Sequence, residues 1–307
     1  MRWLRLGFQV IQKFSPTRAA TLAERLFFTV PRARLTGAMR VEIERARPFT
    51  VSVEGDRIAG WTWGDGPVVY LVHGWGSRGG RLAAYVPPLL AAGFQVVTYD
   101  GGGHGASEGR LSSMPQLART LRAVADAFGP AHGVVAHSLG ASATTLAMDW
   151  GLAVSRAVFV APAADPVGFT LRWARLLDLR LDVLARMKAS SERRIRFSWD
   201  DLDVRMMAGH RTTPLLVIHD AGDSVVPWSE GTAIAKAWPD SRLITTNGLG
   251  HSDVVRAPHV VAQAVEFLSG TTPIFESAPI PERPEAHQLE QDLFYREQRT
   301  LRTVLSA

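Results

Sequence analysis

Residues 133–147 read Gly-Val-Val-Ala-His-Ser-Leu-Gly-Ala-Ser-Ala-Thr-Thr-Leu-Ala. A short apolar run, Val134 to Ala136, enters the turn, and a run of small residues suited to a tightly packed helix leaves it. Between them sits Ser138, with Ala136 and Gly140 two residues to either side. A sharp strand-to-helix turn tolerates only tiny side chains at those flanks, and its strain lifts the hydroxyl to where a histidine can reach it. The pattern is short, and an ordinary small-residue turn containing a serine reads the same way. The rest of the chain has to decide.

Three further segments favour the chemical reading. Val68-Val69-Tyr70-Leu71-Val72 is a buried strand running into His73-Gly74-Trp75-Gly76. A glycine-rich turn there lets backbone N–H groups point at a developing oxyanion. Val96-Val97-Thr98-Tyr99-Asp100 precedes a second glycine-rich turn, Gly101 to Ser107. Leu215 to Asp220 is a strand followed by Ala221-Gly222-Asp223-Ser224-Val225-Val226-Pro227. Each strand ends in a loop of functional character, as in open sheets whose sites lie at the strand carboxyl ends.

Together these segments, over roughly residues 49 to 270, resemble the α/β-hydrolase family, and within it the serine hydrolases with a His-Gly-x-Gly oxyanion loop. The resemblance implies an α/β fold: a mostly parallel sheet covered by helices on both faces, with a small helical cap. It implies that Ser138 is the nucleophile, Asp223 the acid and His251 the base, with the backbone N–H groups of Trp75 and Leu139 as the oxyanion hole. Two departures stand out: Ala136 replaces the first glycine of the Gly-x-Ser-x-Gly turn, and three consecutive glycines, Gly101 to Gly103, loosen the match to the family's Asp-x-x-Gly-His-Gly-x-Ser loop.

Two other carboxylates compete for the acid role: Asp220 at a strand end, and Asp165 after the strand Ala157–Val160, where some family members carry it. For the base, His259 follows Pro258 and reads as part of the last helix. His73 and His104 read as loop-holding residues, His137 as a side chain leaving the turn in another direction, and His132 as surface. No cluster has metal-ligand spacing and no Cys is present, so no zinc site is expected, and the mechanism the resemblance implies needs neither metal nor organic cofactor.

The 307 residues suffice for one large α/β domain with extensions. The net charge of +5 is uneven: residues 1–47 hold ten basic and three acidic side chains, a local +7, leaving −2 for the remainder. Within that leader Trp3, Gly7, Val10 and Phe14 recur at helical steps, with Leu6 and Ile11 beside them and Arg2, Arg5, Gln9 and Gln12 on the other side. Such a helix can lie on an anionic bilayer or dock its apolar stripe on the enzyme body. Docking is the expectation, with peripheral membrane contact through residues 1–14 as the alternative. Polar residues interrupt the apolar stretch too often for a signal peptide, so a cytoplasmic enzyme is expected. The basic residues are interspersed with Leu, Phe and Pro and match no base-reading motif, which excludes a nucleic-acid partner from the reading.

Punctuation gives the organisation. Residues 1–47 form a basic amphipathic extension and 48–270 the hydrolase domain, opened by a hairpin across Glu54-Gly55-Asp56. Residues 162–213 interrupt the strand alternation with two helical patterns and read as the cap, whose Trp173, Met187, Phe197 and Trp199 are candidates for an acyl pocket or for packing. Residues 271–307 read as a Pro-rich linker and polar helical tail. The expected function is hydrolysis of a small-molecule ester or related acyl substrate through an acyl-enzyme. The alternatives are a C–C bond hydrolase or thioesterase of the same fold, or a catalytically silent binding module.

Overall fold

The computed structural model describes residues 2–270. The chain opens with helices α1 (Arg2–Phe14), α2 (Pro16–Phe28) and α3 (Gly37–Glu44). Strands β1 (Arg47–Val53), β2 (Asp56–Trp63) and β3 (Val68–Val72) follow, then α4 (Val86–Ala91), β4 (Gln95–Tyr99), α5 (Met114–Phe128), β5 (Ala131–His137), α6 (Leu139–Asp149) and β6 (Val154–Val160). After α7 (Pro166–Leu177), α8 (Leu181–Ile195) and α9 (Val204–Ala208) the alternation resumes with β7 (Leu215–Asp220), α10 (Trp228–Ala237), β8 (Ser241–Thr246), α11 (Gly250–Asp253) and α12 (Pro258–Leu268).

The eight strands form one sheet in the order β1-β2-β4-β3-β5-β6-β7-β8. β1 and β2 are antiparallel and joined by Glu54 and Gly55, both at positive φ (55° and 92°), the conformation a two-residue hairpin turn requires. From β4 to β8 every pairing is parallel. Parallel strands are buried on both faces, which is why β3 and the Leu215–Ile218 stretch of β7 are apolar runs and neither strand has an exposed residue. Val69, Leu71, Val135, Val158, Val160, Leu216 and Ile218 point to one face and share a core with Leu89 of α4 and Val260, Ala264 and Phe267 of α12. The intervening side chains point the other way: Tyr70 donates its hydroxyl to Gly129 O at the end of α5, and Phe159 packs edge-on against Trp238 at the end of α10. Strand order switches at β3, whose neighbours β4 and β5 lie on opposite sides, and open α/β sheets bind ligands at the carboxyl ends beside such a switch.

The described chain divides into two compact units, one of residues 28–165 and 202–270, the other of residues 2–27 and 166–201. The boundaries differ from those read off the sequence. The leader does not stand alone from 1 to 47: its first two helices group with the insertion, and the insertion narrows to Pro166–Asp201. The reason is a small core of its own, in which Phe8 of α1 and Ala19, Ala20 and Ala23 of α2 are buried with Leu177, Val183 and Met187. Polar contacts complete it: Gln12 donates to Asp178 O (3.0 Å) and Arg194 donates to the buried Glu24 (2.6 Å). Trp173 packs against Phe27 within this unit, and Met187 is fully buried in its core. The tail read over 271–307 lies outside the described residues.

The docking edge of α1 is not the expected one. Phe8 and Gln12 are buried, whereas Trp3, Val10 and Phe14 are 85%, 56% and 86% exposed. At 100° per residue these three fall on the opposite side of the helix from Phe8 and Gln12. The helix docks, but on the inserted helices, and with its apolar stripe facing outward.

Candidate active site

Ser138 stands between β5 and α6 with φ 55° and ψ −125°. A non-glycine residue held there is strained, at a cost of order 1–3 kcal/mol. Its surroundings enforce the turn: Ser138 N–H donates to Val160 O on β6 (3.0 Å), and its carbonyl accepts from Ala141 N (3.0 Å). Residues Gly140 to Met148 of α6 are all buried, so the helix has no freedom to relax the elbow. A Cβ on Gly140 would sit 2.6 Å from His73 O and 2.7 Å from Val72 O, so the helix lies directly on the end of β3. The methyl of Ala136 is accommodated and fully buried.

The carboxylate on His251 is that of Asp223. His251 Nδ1–H donates to Asp223 Oδ2 at 2.7 Å, and the Asp223 side chain is wholly enclosed. Its Oδ1 accepts from Val225 N (2.8 Å) and Val226 N (2.9 Å), so the loop after β7 folds around it. His219 Nε2–H lies between Val226 O (3.1 Å) and Asp223 Oδ2 (3.3 Å). Burial alone would raise the Asp223 pKa, but the bonds from His219, His251 and Val226 and the His251 charge together hold it well below the usual carboxylate range. It is therefore an anion at neutral pH.

The two competing aspartates have other partners. Asp220 accepts from Gly222 N (2.9 Å), Thr246 Oγ1 (2.8 Å) and Leu249 N (3.0 Å), which ties the end of β7 to the turn that presents His251. Burial opposes its charge, and these bonds outweigh it, so its pKa too is lowered. Asp165 lies 3.7 Å from Arg205.

The segment expected to carry oxyanion donors runs beside the serine. A Cβ on Gly74 would meet Ser138 Cβ at 2.8 Å and Oγ at 3.3 Å, so only glycine lets the chain bearing Trp75 come so close. Leu139 is the first residue of α6, and its N–H therefore has no acceptor within the helix. Two neutral histidines fasten the Trp75 segment. His73 Nδ1–H donates to Gly74 O (2.8 Å) while its Nε2 accepts from Gly101 N (2.9 Å). His104 Nδ1–H donates to Gly102 O (2.9 Å) while its Nε2 accepts from Gly76 N (3.2 Å). Burial is the main cause that pushes His73 down to about 4 and His104 down to about 3. Each ring uses one N–H and one bare nitrogen, and only the neutral form has both.

His137 leaves the elbow toward the turn of His251: its ring packs 4.7 Å from the His251 ring and its Nε2–H donates to His251 O (3.1 Å), a contact the sequence pattern does not indicate. Burial, reinforced by the neighbouring His251 charge, lowers it to about 3, so it is a neutral donor. His259 stands exposed at the start of α12, and His132 donates to Leu268 O (3.0 Å). Among the described residues no group of three or more His, Asp or Glu is arranged to hold a metal ion.

Residues 66–206 match the family described as serine aminopeptidase, S33. The pimeloyl-(acyl-carrier protein) methyl ester esterase of Xanthomonas campestris pv. campestris is 29% identical over 253 residues, spanning 68% of this chain and 98% of that protein. Among solved structures, a bromoperoxidase from Bacillus anthracis superposes with a TM-score of 0.56 at 20% identity, covering 73% of this chain and 99% of that one. Est816, an N-acyl homoserine lactone degrading enzyme, gives 0.55 at 19% identity, covering 73% and 100%. The family match takes in Ser138 and ends before Asp223 and His251, and with the strand order and the elbow these likenesses show that the chain has the α/β-hydrolase fold.

Proposed function

We propose that the protein is a serine hydrolase that cleaves a small-molecule ester or related acyl substrate through an acyl-enzyme. The observation that carries this reading is the bond from His251 Nδ1–H to the enclosed, anionic Asp223, at the sheet end where Ser138 sits on its strained turn. That bond fixes the imidazole tautomer, leaving Nε2 bare to accept a proton. Ser138 attacks the acyl carbonyl as His251 takes its proton, and Asp223 stabilises the imidazolium that forms. The N–H groups of Leu139 and Trp75 hold the tetrahedral oxyanion, an interaction worth about 3–4 kcal/mol per donor in sites of this kind. His251 then returns the proton to the leaving alcohol. Water, deprotonated by the same imidazole, releases the acid.

An ester substrate is favoured over a peptide or a C–C bond by the methyl ester esterase, whose length the match spans almost completely. The test is labelling with a fluorophosphonate, followed by turnover on p-nitrophenyl esters of graded acyl length. Wild-type protein should label and turn over, and Ser138→Ala should do neither while keeping its circular dichroism spectrum. Wild-type protein that neither labels nor hydrolyses any ester would leave a binding module on a hydrolase scaffold.

A further inference from the structure

We propose that the smaller unit, residues 2–27 and 166–201, is a docking surface for an anionic lipid bilayer. Three observations converge on it. The first is charge: the unit carries thirteen basic and six acidic side chains, a net +7, while residues 28–165 and 202–270 balance at seventeen of each. Among the described residues the net positive charge is thus confined to one unit. The second is apolar exposure. Nine of the twelve large apolar side chains that stand exposed among the described residues belong to this unit, Trp3 and Phe14 most of all. A unit with under a quarter of the described residues holds three quarters of the exposed apolar side chains.

The third is their arrangement. Leu6, Val10, Trp3 and Phe14 form a continuous outward stripe on α1, flanked on one side by the exposed Arg2 and Lys13. Between α1 and α2 the stripe opens into an apolar groove of about 480 Å³ lined by Val10, Ile11, Phe14 and Leu22, with Ser15 and Arg18 at its polar edge. An apolar groove edged by a cation suits an acyl chain whose headgroup is anionic. Bilayer attachment through one weak apolar element becomes stable when basic residues add attraction to anionic headgroups, and this unit presents both. Among the described residues no helix is long and apolar enough to cross a membrane, and the contact proposed is one at the bilayer surface. A second copy of the chain would bring +7 against +7, which favours the bilayer as the occupant.

Vesicle co-sedimentation of the full chain tests this independently of hydrolysis. The protein should sediment with vesicles of equal parts phosphatidylglycerol and phosphatidylcholine, less so as salt is raised, and not with phosphatidylcholine alone. Replacing Arg2, Lys13 and Arg18 together by Gln should weaken binding about a hundredfold, on the usual scale for three basic residues at an anionic surface. Trp3→Ser, Val10→Ser and Phe14→Ser in one chain should abolish it, with folding and turnover of a dissolved ester unchanged because these side chains are already exposed. Because the chain has no Cys, Val10→Cys carries a unique fluorophore, whose emission should shift to the blue on anionic vesicles, whereas a label at Asp240→Cys should not shift. Wild type that stays in the supernatant with anionic vesicles overturns the proposal. So does binding that survives the triple Ser variant, or a dimer in sedimentation equilibrium that disappears in that variant while vesicles have no effect.

Discussion

Acid should unfold this protein at a pH where most carboxylates are still charged. His73, His104 and His137 are buried and neutral, and in the folded state they take up a proton only near pH 4, 3 and 3 respectively. In the unfolded chain each titrates near its ordinary value of about 6.5. Between these limits the unfolded state holds up to three protons that the native state does not. Stability therefore rises with pH across this window and is lost as pH falls below about 6.5. Each excess proton contributes about 1.4 kcal/mol per pH unit, so three give a limiting slope of about 4 kcal/mol per unit. From pH 6 to 5 the unfolded rings go from mostly to almost fully protonated, and the expected loss is about 3–4 kcal/mol. That is a large share of a typical total of about 5–15 kcal/mol. Urea unfolding at pH 7, 6 and 5, followed by circular dichroism and tryptophan fluorescence together, measures it. A loss below about 1 kcal/mol over that unit would show that the rings are hydrated or protonated in the native state, and would refute the reasoning. His137→Gln, which keeps a donor toward His251 O, should reduce the slope by about one proton's share.

The other expectations concern the site. Asp223→Asn should lower kcat by about 10³- to 10⁴-fold by permitting the wrong imidazole tautomer, whereas Asp165→Asn should affect stability more than turnover; reversed outcomes would move the acid to the earlier strand. His137→Ala should lower kcat about tenfold to a hundredfold with KM little changed, because the turn carrying His251 loses its anchor, and His137→Gln should recover much of it. Gly140→Ala should destabilise by about 1–3 kcal/mol and depress kcat with it, since its methyl meets two backbone oxygens of the Trp75 segment; a fully active, equally stable variant would mean that the helix can shift away from β3.

Much of the fold could be read from residues that do their work locally. Apolar runs such as Val68–Val72 and Leu215–Ile218 are strands because they are buried on both faces, and Glu54-Gly55 turns because both positions need positive φ. Ser138 could be picked out because the constraint on its neighbours is steric and close in sequence. What escaped depends on contacts distant in the chain. Helical periodicity gives the direction of the apolar stripe on α1 but not which edge finds a partner, and that edge was chosen by Asp178, Leu177 and Met187, more than 160 residues away. The part Asp220 plays in holding the His251 turn likewise rests on Thr246 and Leu249, which no local pattern links to it. The contact of His137 with His251 also joins residues 114 apart in the chain, which no local pattern records.

The partition of charge has a consequence for how the protein answers its surroundings. The Asp223 carboxylate is sealed from solvent, so the ionic interactions that would serve catalysis are screened very little by salt. The field of the +7 unit acts through water, and it fades over a distance that shortens as ions are added, about 8 Å at physiological strength. A rise in ionic strength, or the loss of anionic lipid, would therefore move the protein between surface and solution while leaving turnover of a dissolved ester unchanged. Where the substrate itself resides in the bilayer, salt would control its local supply, and the enzyme would be regulated by location with no alteration of its catalytic groups.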